Sequence, residues 1–189
     1  MKKVTLDTNV LPPDEILQTA QDLDYEFAVV TVTEREIEGT DIQVSLEKLG
    51  KAIFETAVWD ESLWGKAVWG PAIAEDFVLG ESYLGKGILG NNEKADLFEM
   101  CLDIISNGSF QKRGERKNLT PNQRKQLRDA MILATHLREK RDIFVTNDAR
   151  AFLNHGRGKK IENMFGTKIM TKEDFMSYCY KEKSKQQPV

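Results

Sequence analysis

The chain has 189 residues, 40% hydrophobic and 30% charged, which suffices for one compact domain with a real core and is short for two. No run approaches the roughly 20 consecutive apolar residues that span a bilayer. The start, MKKVTLDTNVLPPDE, lacks the extended apolar region of a secretory leader, so a cytoplasmic protein with no membrane partner is expected. The formal net charge of −3 hides a split: residues 1–100 carry 8 Lys/Arg against 20 Asp/Glu, and residues 101–189 carry 19 against 10. Such asymmetry points to a polyanionic partner for the C-terminal half, and to cations or a self-complementary surface for the N-terminal half. Cys101 and Cys179 lie far apart without metal-ligand spacing, which argues against a zinc site or a disulfide scaffold and makes both packing residues.

In chain order, Lys3 to Leu6 reads as a short buried strand that delivers Asp7, Thr8 and Asn9 to a sheet edge. Pro12 and Pro13 ahead of Asp14 and Glu15 start a helix whose apolar stripe is Ile16, Ala20 and Leu23. Phe27 to Val32 is nearly continuous in apolar residues, as suits a parallel strand covered on both faces. Glu34 to Glu38 forms a short helical turn, and the spacing of Val44, Leu46, Leu49, Ile53 and Phe54 continues a helix to about Ala57.

Residues 59–90 break the rhythm, holding all three tryptophans and six of the thirteen glycines, and read as an insertion. Gly85, Lys86 and Gly87 lack the ending that a phosphate-cradling loop requires. The segment has five acidic residues against two basic ones, which favours a self-association surface or a cap over the sheet rather than tryptophans stacked on bases. Asn92 to Ile105 is helical, and residues 107–119 form a basic, turn-rich loop. Thr120, Pro121 and Gln123 make a capping-box start for a helix through about Lys140. Ile143 to Thr146 is a buried strand ending in Asn147 and Asp148, Lys168 to Met170 a last short strand, and Thr171 with Asp174 caps a final helix. Alternating strands and helices predict an α/β fold, three α/β/α layers around a central, mostly parallel sheet, as a single domain over 1–180 followed by a polar tail at 181–189.

Among 30 acidic residues, position is what singles out four. Asp7 and Asp148 fall at the carboxyl ends of strands, the edge at which open α/β sheets bind ligands. Glu36 follows the second strand, with Glu34 and Glu38 close enough to compete for its place. Asp129 sits inside a helix that is apolar around much of its girth, where a carboxylate is costly unless paired. Clustered carboxylates repel unless a cation holds them together, and oxygen-only ligands favour Mg²⁺ or Mn²⁺ over zinc. A plainer reading also exists for each: helix N-caps for Asp7 and Asp148, a solvated charge for Glu36, and a pair with Arg128 or Arg124 for Asp129.

LDTNVL, EIEG, DAMILAT and VTNDARAF resemble, in order and spacing, the successive motifs of the PIN domains, a family of metal-dependent nucleases. KIENMFGTKIMTKEDF is similar to that family's final helix, short strand and closing helix. The resemblance implies a PIN-like fold and a four-carboxylate cluster, Asp7, Glu36, Asp129 and Asp148, holding one or two Mg²⁺ or Mn²⁺ ions and hydrolysing RNA to leave a 3′-hydroxyl. Asn9 and Thr146 would be supporting polar residues. It also implies RNA as partner, with a toxin paired to an antitoxin protein and a housekeeping RNA-processing nuclease both open, and a homo-oligomer as a further option. The Trp/Gly-rich segment departs from the leaner toxin members.

The basic run Lys112, Arg113, Arg116, Lys117, Arg124, Lys125 and Arg128, opposed only by Glu115, leads into the helix that bears Asp129. Arg113, Arg116, Lys117, Arg124 and Lys125 are therefore the expected RNA contacts, with Arg150, Arg157, Lys159 and Lys160 next. His136 is expected to be a packing or supporting residue, and His155 at most an RNA contact. A haloacid-dehalogenase-type phosphotransferase would need an aspartate where Asn9 stands, and a dinucleotide-binding turn would need glycines that residues 7–15 do not contain. The alternative that remains is a catalytically silent PIN-like module that binds RNA or a protein.

Overall fold

The computed structural model describes residues 1–30, 33, 92–112, 115–116 and 119–186, with the backbone alone at 52–53, 55–57, 87–89 and 92–95. The strands are β1 (Lys2–Leu6), β2 (Tyr25–Val30), β3 (Ala52–Ile53), β4 (Glu55–Ala57), β5 (Gly87–Leu89), β6 (Ile143–Val145) and β7 (Lys168–Met170). The helices are α1 (Asp14–Thr19), α2 (Asn92–Ser106), α3 (Pro121–Arg138), α4 (Arg157–Phe165) and α5 (Lys172–Gln186). Five strands form one sheet in the order β3-β2-β1-β6-β7. All neighbours run parallel, with Val4 opposite both Phe27 and Ile143. β4 and β5 pair in a separate two-stranded unit.

Parallel strands need cover on both faces, and the alternation of side chains divides that cover in two. Val4, Leu6, Val29, Ile143 and Val145 pack against Ile16 of α1 and Phe175 of α5. Val30, Phe144 and Ile169 belong to a second core with Leu102 of α2, Leu133 of α3 and Ile161 of α4. Helices on each face of a parallel sheet fit a three-layer α/β/α fold. Among the described residues no helix is long and apolar enough to cross a membrane.

Local signals account for most boundaries. The Thr120 hydroxyl accepts from the Gln123 N–H at 3.3 Å, while the Gln123 side chain accepts from the Thr120 N–H at 2.9 Å, closing the expected capping box with Pro121 at the first helical position. At α5 the Asp174 N–H donates to the Thr171 hydroxyl at 3.0 Å. Ile16, Ala20 and Leu23 are buried as their spacing predicts.

Two expectations change. The helix expected to reach about Ala57 gives way to strands at Ala52–Ile53 and Glu55–Ala57. β2 would otherwise end the sheet as an exposed edge, and pairing Val29 with Ala52 and Val30 with Ile53 covers it, outweighing a helical spacing that is local only. The tail expected from residue 181 instead extends α5 to Gln186, where Lys183 meets Asp22 at 2.8 Å and Lys185 meets Glu182 at 2.8 Å. Of the Trp/Gly-rich segment, the strand Gly87–Leu89 is described and the tryptophans lie outside the described residues, as does the turn expected at 34–38.

His136 is a packing residue, as its place on α3 predicted. It is wholly buried, with Nδ1 2.9 Å from the Thr5 hydroxyl and Nε2 2.6 Å from the Thr167 hydroxyl. Thr167 donates its own proton to the Asp142 carbonyl at 3.2 Å, so it accepts from Nε2–H, and Nδ1 accepts from Thr5; the tautomer is assigned from this network. Burial, with the Arg141 charge adding to it, pulls the imidazole from 6.5 down to about 3. The ring is neutral and ties β1 to the start of β7.

Candidate functional site

β1 and β6 end side by side, and the residues that follow them are brought together by the ladder itself. The Asp7 N–H donates to the Val145 carbonyl at 3.0 Å, and the Thr146 N–H to the Met170 carbonyl at 2.9 Å. Beyond these bonds the chain turns away: Thr8–Val10 makes a 3-10 turn capped by Asp7, and Ala149–Leu153 a π-helical turn capped by Asp148. Such single-turn π geometry recurs at functional positions.

Each aspartate therefore divides its work between its two oxygens. Asp7 Oδ1 accepts from the Thr8 N–H at 2.8 Å, while Oδ2 accepts from the Thr146 hydroxyl at 2.6 Å and the Asn9 amide at 2.7 Å. Asp148 Oδ1 accepts from the Ala151 N–H at 2.8 Å, while Oδ2 accepts from the Lys125 ammonium at 2.6 Å. The capping role and the strand-end role, alternatives in the sequence, are both filled. Thr146, fully buried, is the bridge: its hydroxyl donates to Asp7 and accepts from the Asp148 N–H at 3.0 Å. Asn9 closes the arrangement, since its carbonyl oxygen accepts from the Asn147 N–H at 2.6 Å, and the Asn147 side-chain oxygen accepts in turn from the Lys172 N–H at 3.0 Å.

Asp129 lies on α3 at 9% exposure, one helical turn beyond Lys125 and on the same face. The Lys125 ammonium sits in the joint field of these acids. Its hydrogen bond to Asp148 raises its pKa most, burial opposes, and the charges of Asp129, Asp148 and Asp7 raise it further. At Asp148, burial pushes the carboxyl up, but the bonds from Lys125 and from the Ala151 N–H outweigh it and hold the group below its ordinary value. Three expected site carboxylates, Asp7, Asp129 and Asp148, thus act on one cationic atom.

Glu36 lies outside the described residues. Thr33, three residues before it, is buried, with its hydroxyl 3.4 Å from that of Thr8. Among the described residues no three His, Cys, Asp or Glu side chains alone form a ready metal cage. What the donor chemistry does fit is an oxygen-liganded cation, because an ammonium already occupies that position, held by carboxylate oxygen.

The expected RNA contacts divide. Arg124 is exposed on the first turn of α3. Lys125 is exposed along its stem but committed to Asp148. Arg113 and Lys117 lie outside the described residues. Arg116 does not face solvent: it is 3% exposed, ion-paired to Glu99, bonded to the Gln111 carbonyl at 3.1 Å and stacked over Phe110. Arg157, a further candidate, is likewise inside, donating to the Ile104 carbonyl at 3.1 Å and to the Arg150 carbonyl. A charged group costs least to bury when such acceptors surround it, and each arginine draws one of them from far along the chain, Glu99 for Arg116 and the Ile104 carbonyl for Arg157. Arg150, His155, Lys159 and Lys160 are exposed. Sequence reasoning placed Thr8 at the sheet edge but missed Thr33 and the Lys125–Asp148 bond; the four-residue spacing from Lys125 to Asp129 was the one signal that could have found the lysine's role.

Comparison of the chain with protein-family models, with curated proteins and with solved structures returns no match.

Proposed function

We propose that this chain is a PIN-like, Mg²⁺- or Mn²⁺-dependent endoribonuclease. One observation carries the reading: Asp7 and Asp148, at the ends of adjacent parallel strands and joined through Thr146, share with Asp129 the field around a single cationic atom. Asp7, Asp129 and Asp148 would hold the metal, with Glu36 as the fourth carboxylate, and Asn9 and Thr146 would keep Asp7 in place. A bound divalent ion would supply an activated water and charge neutralisation at phosphorus. In the reaction the water oxygen bonds to phosphorus, the P–O3′ bond breaks, and the proton ends on O3′, giving a 3′-hydroxyl and a 5′-phosphate. Arg124, with Arg113 and Lys117, would meet the RNA backbone, and Arg150, Lys159 and Lys160 would extend that surface; Arg116 is left out because it is buried. An antitoxin protein, a second copy of the chain and the cytoplasm as its location belong to this proposal.

The test is incubation with a mixed RNA pool and Mn²⁺, with and without chelator, for the natural chain and Asp7→Asn. Chelator-sensitive cleavage that Asp7→Asn abolishes supports the reading; equal cleavage by both chains refutes it. The silent-module reading draws on the complete hydrogen bonding of Asp7, which a purely capping residue would also show. It is favoured if the natural chain retains RNA without cutting and gains no stability from Mn²⁺.

A further inference from the structure

The Lys125–Asp148 ion pair joins a movable partner to a fixed one. The lysine side chain is 53% exposed and that of Asp148 12%. Asp148 is anchored by the Ala151 N–H and Asp7 by three donors, so the carboxylates stay where they are while a long stem lets the ammonium swing out. The oxygen that Lys125 takes is Asp148 Oδ2, the one that the cap leaves over. Asp129 lies one turn beyond Lys125 on the same helix face, and its charge, like that of Asp7, favours the ammonium there. Two cations cannot share that place without strong repulsion.

We propose that Lys125 is an internal competitor for the divalent cation, its ammonium holding Asp148 Oδ2 until the ion displaces it. This rests on the metal-centre reading above. Lys125 then sets a threshold, since the site fills only at ion concentrations that overcome an intramolecular rival. The carboxylates stay neutralised below that threshold.

The test uses the full chain stripped of metal, titrated with Mn²⁺ by calorimetry. Lys125→Met keeps the apolar stem and removes the charge. Its Mn²⁺ affinity should rise about threefold or more, the scale of a half-exposed ion pair. In chelator its melting temperature should fall relative to the natural chain, and Mn²⁺ should restore it. A folded Lys125→Met chain with unchanged or weaker affinity overturns the competition and leaves the metal centre standing, because the natural chain still binds. Absence of Mn²⁺ binding by both chains overturns the metal centre and the competition together. A second measurement needs no variant: in the natural chain labelled with ¹⁵N-lysine, the Lys125 ammonium resonance should shift as Mg²⁺ is added. A resonance unmoved at saturating Mg²⁺ overturns the proposal.

Discussion

The two edges of the central sheet handle charge in opposite ways. At the edge where the strands begin, opposite charges are matched: Arg141 meets Glu26 at 2.7 Å, Lys2 meets Glu182 at 3.2 Å, and the terminal amine meets Asp24 at 2.6 Å. Arg141 also donates to the Val4 and Glu26 carbonyls, each at 2.8 Å, so its buried guanidinium stitches β1 to β2. At the edge where the strands end, like charges are gathered instead, three carboxylates in the field of one lysine. Matched charges at one end hold the sheet closed; gathered charges at the other converge on one lysine ammonium.

The largest test of that contrast is Arg141→Met. Removing a buried guanidinium strands Glu26 and two carbonyls, and the loss of stability should be about 3 kcal/mol, read from urea unfolding. A loss under about 1 kcal/mol would mean that the matched edge does not hold the sheet.

The next effect is acid sensitivity. His136 is held near 3 in the folded chain against 6.5 for the free side chain, so the unfolded state takes up a proton that the folded state refuses. Its contribution is whole above about 6.5 and drains away as pH falls toward 3, at up to about 1.4 kcal/mol per pH unit. Unfolding free energies measured from pH 7 to 4 should show this slope, and His136→Gln should flatten it. An equal slope in the variant would assign the acid sensitivity to the carboxylates. Asp148, held low by Lys125, gives up its share only below its ordinary 3.8.

The smallest effect belongs to the edge of gathered charge. Asp148→Asn keeps an oxygen for the Ala151 N–H and loses only a half-exposed ion pair, so in chelator stability should stay within about 1 kcal/mol of the natural chain. Cleavage should nonetheless be lost. A variant that unfolds would make Asp148 a structural residue first.

How much of this was legible followed the range of the forces involved. β1, β6 and β7, the Thr120 cap and the placement of Asp7 and Asp148 at strand ends are written in neighbouring residues, and were read from them. The strand at 52–53 depends on the open edge of β2, more than twenty residues earlier, and that at 55–57 on β5 at 87–89, and a helical spacing obscured both. Arg116 looked like one member of a basic run, yet it is the member that finds Glu99, 17 positions away, and turns inward. Lys125 finds Asp148 across 23 positions. Composition tells how many charges a segment carries, and only the fold tells which of them face water.

The amide proton of Lys172 at the start of α5 goes to Asn147 Oδ1 at the exit from β6, and the amide proton of Asn147 goes in turn to Asn9 Oδ1. The Asn9 amide nitrogen meanwhile grips Asp7 and Thr146. Two small side chains in series, Asn9 and Asn147, therefore make the closing helix and the carboxylate edge parts of the same opening unit. In hydrogen exchange, the Asn147 and Lys172 amides should open together with a common free energy, slower when the Asp7 carboxylate is occupied. The first turn of a helix on the covered face of the sheet becomes a reporter of what is bound at its edge.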